Sequence, residues 1–308
     1  MINLCLFVLM NSHKALIDGI ESGNFRVLAR ALTLVENEIE PSSALLKALH
    51  IKNDVQVLGI TGPPGAGKST LVNEITNHFV NDDKRVAILA VDPTSPFNFG
   101  SLLGDRIRMA QHFNKPNVYI RSIATRGALG GVSVKTLEMI DVLKASNFDL
   151  IIVETVGVGQ SEVEIAGLAD KTLVVLVPES GDEIQNIKSG LMEIAQAFVV
   201  NKADRDGAGT FANNLKKMIH QQTENIPVFK TVADKNEGLE DLCLWITKPM
   251  ASLNKRRGFL LAEKAMRIIQ HQKMKEINQK MLRQAIDEAL KAPDFNIYKF
   301  TENWLKNS

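Results

Sequence analysis

Nine consecutive residues, Gly62 to Thr70 (GPPGAGKST), combine three glycines, a lysine and two hydroxyls. From Gly62 to Ser69 they fit G-x-x-x-x-G-K-[ST], in which glycines let successive backbone N–H groups turn inward around phosphate oxygens. The candidate phosphate contacts are Gly62, Pro63, Pro64, Gly65, Ala66, Gly67, Lys68, Ser69 and Thr70. Lys68 is placed to neutralise β- and γ-phosphates, and the Ser69 hydroxyl to ligate Mg2+. An apolar run precedes the loop and a helical pattern follows it, so the positive end of a helix adds to the anion site. The chemistry indicated is binding of a nucleoside triphosphate.

The base is read from Asn201, Lys202 and Asp204, in the stretch FVVNKAD. An Asp carboxylate accepts two hydrogen bonds from guanine N1–H and its 2-amino group, a Lys stem covers the base plane, and Asn ties this turn to the phosphate loop. Adenine has neither donor and would leave the carboxylate unpaired, so the nucleotide expected is GTP or GDP. Further on, in TVADKNEG (231–238), the backbone N–H groups of Val232 and Ala233 are candidates for closing over the base; a plain connector is the other reading.

Acidic residues supply the metal chemistry. In IIVETVGVGQSE (151–162), Glu154 ends an apolar strand and is followed by Gly157. A carboxylate at that edge holds Mg2+ through water, or else caps the next helix; Gly157 offers an N–H to a γ-phosphate. Asp92 ends the second strand pattern and Asp105 lies in the loop after it, which makes the expected metal set Ser69, Asp92, Asp105 and Glu154. Arg108, with Arg106 beside it, either touches phosphate oxygens or is solvated. A water-orienting Gln is expected directly after Gly157, yet Val158 stands there and Gln160 two residues on. Val cannot orient water, so unaided hydrolysis should be slow unless Gln160 swings in or a partner completes the site.

These residues need a scaffold that brings them to one edge. Seven short β-branched runs lie between residues 55 and 232, with helical segments between several of them. Several are apolar without alternation, which suits strands covered on both faces. The reading is α/β: a doubly wound, mostly parallel sheet over 51–250, an N-terminal helical extension over 1–50 read as two helices, and a helical arm over 251–308. The arm pattern at 254–292 is long for one globular helix, so it is broken or packs against a partner.

The formal net charge of +1 over 308 residues gives no global field for nucleic acid. Cys5 and Cys243 form no Cys/His cluster, which fits a reducing cytoplasm and argues against disulfides or structural zinc. The apolar opening MINLCLFVLM is too short to span a bilayer and lacks signal-peptide features; Met10 is an alternative start.

GPPGAGKST, VDPTSPF…GSLLGDRIRM, ATRGALGG, ETVGVGQSE, GDEIQNIKSG and NKAD together resemble the MeaB/ArgK family of P-loop GTPases from about residue 12 onward. The resemblance implies GTP hydrolysis coupled to chaperoning an adenosylcobalamin-dependent acyl-CoA mutase, methylmalonyl-CoA mutase above all, in cofactor loading and protection. It implies homodimers through the C-terminal arm. It also implies that 178–190 relays nucleotide state, with Glu179, Asp182 and Lys188 its charged candidates; an ordinary exposed loop is the other reading. Asn98-Phe99 and Ala128 depart from the expected pattern. Two other readings stand beside this one: a kinase linked to amino-acid transport, for which no acceptor or base motif is present, and a nickel-insertion GTPase, which would call for a Cys/His cluster.

Overall fold

The computed structural model describes residues 14–92, 109–124, 134–155, 165–179, 191–222, 226–249, 253–275, 277–292 and 294–307. Asp105, Arg106, Arg108, Gly157, Val158, Gln160, Asp182 and Lys188 lie outside them, as do the departures at Asn98, Phe99 and Ala128.

All seven apolar runs are strands: β1 (Gln56–Thr61), β2 (Val86–Asp92), β3 (Val118–Ala124), β4 (Leu150–Thr155), β5 (Lys171–Leu176), β6 (Ala197–Val200) and β7 (Val228–Lys230). They form one sheet in the order β3-β2-β4-β1-β5-β6-β7. Every pairing is parallel, so all carboxyl ends share one edge. The central strands β1, β4 and β5 are buried almost throughout, because helices cover both faces.

Along β1 and β4 the alternation splits the core in two. Val57, Ile151 and Val153 point to one side, where they meet α1 (residues 14–21), α2 (Phe25–Glu36), α3 (Ser42–Ala48) and α5 (Val134–Lys144). Leu58, Ile60 and Ile152 point to the other, against α4 (Lys68–Asn81) and α8 (Leu239–Thr247). The first side continues over β5 and β6, where Val174, Leu176, Phe198 and Val200 pack on α7 (Ala208–Gln222). A four-residue helix, α6 (Leu191–Ile194), precedes β6. At roughly 1.5–3 kcal/mol for each fully buried large apolar side chain, these two layers dominate the stability.

The N-terminal segment holds three helices, not the two expected. The second expected helix ends at Glu36, short of Pro41, and Pro41 instead stands at the N-cap of α3, since proline has no N–H to lose at a helix start. Arg85 fastens this segment to the sheet, with its guanidinium 5.2 Å from the Phe25 ring centroid and 5.9 Å from that of Phe148. Its Nη2 also donates to Gly23 O at 3.1 Å.

Residues 1–252 form one compact unit and Leu253–Ser308 a second. The second is helical: α9 (Leu253–Lys275), α10 (Gln279–Ala289) and α11 (Ile297–Asn307). The long periodic run is thus broken, and the Asn278 side chain caps the new start by accepting from Lys280 N and Met281 N. None of the described side chains of this unit is buried; Met281, Leu290, Tyr298 and Leu305 are exposed. No described helix is long and apolar enough to cross a membrane.

Candidate functional site

The loop between β1 and α4 carries the phosphate motif to the carboxyl edge of the sheet. Gly67, φ +82°, turns the chain into α4; a Cβ there would sit 2.4 Å from Asn201 Nδ2. Only glycine meets both the left-handed backbone and that close approach. Lys68 opens the helix, buried, and its Nζ donates to Gly62 O at 2.8 Å and Pro63 O at 2.9 Å. The ammonium therefore lies inside the curl of the loop, where phosphate oxygens are expected.

Ser69 Oγ donates to Glu154 Oε1 at 2.7 Å, and both side chains are buried. Glu154 lies in a fully buried stretch of β4, and this hydroxyl donates to its desolvated carboxylate. Beside them, Thr155 Oγ1 donates to Thr61 Oγ1 at 2.9 Å, joining the ends of β4 and β1. The β2–β4 register aligns Ala90 with Glu154 and Val91 with Thr155, so Asp92 ends β2 at the same edge. An all-oxygen set around a buried hydroxyl–carboxylate pair suits Mg2+, and Ser69 with Glu154 fits that ion. Among the described residues no group of three or more His, Cys, Asp or Glu side chains gathers as a metal site.

The base turn is tied to the phosphate loop as its residue types predict. Asn201, buried at the end of β6, donates from Nδ2 to Ala66 O at 3.0 Å. Its Oδ1 accepts from Thr231 Oγ1 at 3.0 Å and from Ala233 N at 3.2 Å. Lys202 has φ +54° and reaches back to donate from Nζ to Gly65 O at 2.8 Å. Asp204 stands half-exposed, and its Oδ2 accepts from Lys235 Nζ at 2.8 Å. That hydrogen bond, above the other nearby charges, holds the Asp204 carboxyl below the usual range and raises the Lys235 ammonium above its own.

One expectation needs correction. Val232 and Ala233 lie at this edge, but their N–H groups are already donated, to Glu237 O at 3.0 Å and to Asn201 Oδ1. Val232 pairs with Glu237 in an antiparallel bridge that rounds the loop, and Ala233 seats the asparagine. They shape the site and do not supply free donors to a base. Sequence reasoning also passed over Thr231 and Lys235, whose roles depend on contacts 30 and 31 residues away. Only the proximity of TVADK to the base turn hinted at them. Glu179, at the start of 178–190, accepts from Arg205 Nη1, which holds its carboxyl below the usual range.

Behind the phosphate loop, α4 rests on the short turn Ala110–His112. Lys115 Nζ donates to Asn77 Oδ1 at 2.8 Å, and His112 is fully buried. Burial first, then the nearby Lys115 charge, pushes the imidazole down to about 4, so it is neutral at pH 7.

A family model described as "Methylmalonyl Co-A mutase-associated GTPase MeaB" matches residues 28–291. A Pyrococcus horikoshii protein that carries a GTPase name is 46% identical over 238 residues, 74% of each chain. The mouse protein named methylmalonic aciduria type A homolog, mitochondrial, is 39% identical over 206 residues, 62% of this chain and 50% of its own. A solved structure described as a LAO/AO transport system kinase is 26% identical, covers 96% of this chain and 92% of its own, and superposes with a TM-score of 0.68.

Proposed function

Because the chain belongs to the MeaB family of methylmalonyl-CoA mutase-associated GTPases, we propose that it hydrolyses GTP to GDP and phosphate with Mg2+ and serves an adenosylcobalamin-dependent acyl-CoA mutase, methylmalonyl-CoA mutase in the first place, as a chaperone for cofactor loading and protection. The carrying observation is that one edge joins three things: a phosphate loop, a buried Ser69–Glu154 pair and an Asn201 anchored to Ala66. Phosphate and base recognition are thereby fixed relative to each other, which a GTP site requires.

Ser69 and Glu154 would hold the metal together with Asp92 and Asp105, and the ion when bound would offset charge developing on the phosphate oxygens. Lys68, poised on the loop carbonyls, binds the β- and γ-phosphates. Asn201 and Lys202 keep the base turn against the loop, while Asp204 selects guanine. Gly157 is the residue proposed to offer its N–H to the γ-phosphate. With Val158 in the water-orienting position, turnover is slow until Gln160, Arg108 or a bound partner completes the arrangement. Thr70 and the other loop residues position phosphate through their backbone.

The arm supports a homodimer: three amphipathic helices with no buried described side chain stabilise themselves by covering one another's apolar faces in a second copy. The formal net charge of +1 gives no global field to draw nucleic acid or an anionic membrane to the partners, and the cytoplasm is the proposed compartment.

Phosphate release from GTP in the presence of Mg2+, with and without a B12-dependent acyl-CoA mutase, tests this reading. Slow release accelerated several-fold by the mutase is expected. Release from ATP as fast as from GTP, or transfer of the phosphoryl group to a protein acceptor with none to water, would replace it with the kinase reading carried by the name of the solved relative.

A further inference from the structure

The 231–238 loop does more than close the site from outside. It is stitched to the base turn at four points: Ala203 N to Thr231 O at 3.0 Å, Thr231 Oγ1 to Asn201 Oδ1 at 3.0 Å, Ala233 N to Asn201 Oδ1 at 3.2 Å, and Lys235 Nζ to Asp204 Oδ2 at 2.8 Å. The first three do not touch the Asp204 side chain. The fourth runs from the loop to the Asp204 carboxylate.

We infer that Lys235 is a positioning residue for guanine recognition, holding the plane of the Asp204 carboxylate so that both of its oxygens meet the base. The inference rests on the GTP reading given above. A carboxylate offers about four lone-pair sites, so one N–H on Oδ2 leaves room for guanine N1–H and the 2-amino group. Two parallel hydrogen bonds are more sensitive to the angle of the carboxylate than one, because both must stay near linear together. The position of Lys235 is itself constrained: it ends the short turn Ala233–Lys235, and Asn236 follows at φ +59°. Its N–H donates to Val232 O at 3.0 Å, so the backbone beneath the ammonium is anchored.

The measurement compares GDP, inosine diphosphate (which lacks the 2-amino group) and ADP, titrated calorimetrically into the full chain. Lys235→Met should weaken GDP by about two- to fivefold, in keeping with an exposed ion pair, and should narrow the preference for GDP over inosine diphosphate. Lys235→Arg should restore both. Parallel weakening of GDP and inosine diphosphate, no change in either, or failure of arginine to rescue would each overturn the role of Lys235. Asp204→Asn separates this from the underlying reading: if that variant keeps the wild-type preference for GDP over ADP, guanine recognition by this turn is itself wrong, and the role of Lys235 goes with it.

Discussion

The two ends of the nucleotide edge are built differently. At the phosphate end the polar groups are buried and their partners come from the loop and the sheet: Lys68 on two carbonyls, Ser69 on Glu154. At the proposed base end the ion pair is open to water, Asp204 with 40% and Lys235 with 53% of the side chain exposed. Buried charged groups lose much when a partner is removed, whereas exposed pairs are worth little. Affinity should therefore be concentrated at the buried end and selectivity tuned at the open one.

The sharpest way to break that contrast is at Lys68. Lys68→Ala should lower GTP affinity by about 100-fold or more, on the order of 3 kcal/mol, while leaving the thermal unfolding midpoint close to wild type. Calorimetric titration and a melting curve on the same preparation decide it; unchanged affinity removes the phosphate assignment. Next in size is the tie between the ends. Asn201→Ala deletes an interior side chain bonded to Ala66 O, Thr231 Oγ1 and Ala233 N, and should cost about 2–3 kcal/mol in urea unfolding.

The floor of the phosphate end gives a pH test. His112 stays neutral in the fold down to about pH 4, whereas an unfolded histidine takes up its proton near 6.5. Between those values the unfolded chain binds the extra proton, so this contribution is fully present above about pH 6.5 and is lost as pH falls. Relative to His112→Gln, the wild type should lose about 2 kcal/mol between pH 7 and pH 5. Parallel pH profiles for the two proteins would contradict the burial argument. The smallest effect belongs to the open end: Asp204→Asn should reduce the preference for GTP over ATP by about tenfold, a modest figure because water can partly satisfy an exposed carboxylate. A change far beyond that would mean the base end closes when nucleotide binds.

Much of this was readable in the chain. The strands announced themselves because parallel strands buried on both faces need no polar alternation, and the loop at Gly62–Ser69 is a local pattern whose backbone geometry follows from glycine. NKAD is also a local pattern, and the fold brings its Asn201 against the phosphate-motif loop at Ala66 O. What escaped was whatever depends on two distant segments meeting. Lys235 looks like any exposed turn lysine until Asp204 lies beside it. Val232 and Ala233 look like free donors until Glu237 and Asn201 take them. Pro41 reads as a stop, although a proline starts a helix as readily as it ends one.

Lys171 carries the last lesson. It begins β5, on the edge of the sheet away from the nucleotide, and its ammonium donates to Trp245 O, Ile246 O and Lys248 O at 2.6, 2.7 and 2.6 Å while lying 4.7 Å from the Trp245 ring centroid. Burial pushes it down to about 8, against three carbonyls that favour the charge. Residues 231–238 run from β7 into α8, which packs on the core through Leu242 and Ile246 and whose far tip this cation joins to β5. The 231–238 stretch thus joins two elements that are each held to the sheet, and slackening the distant contact should register as drift in the loop proposed to close over the base.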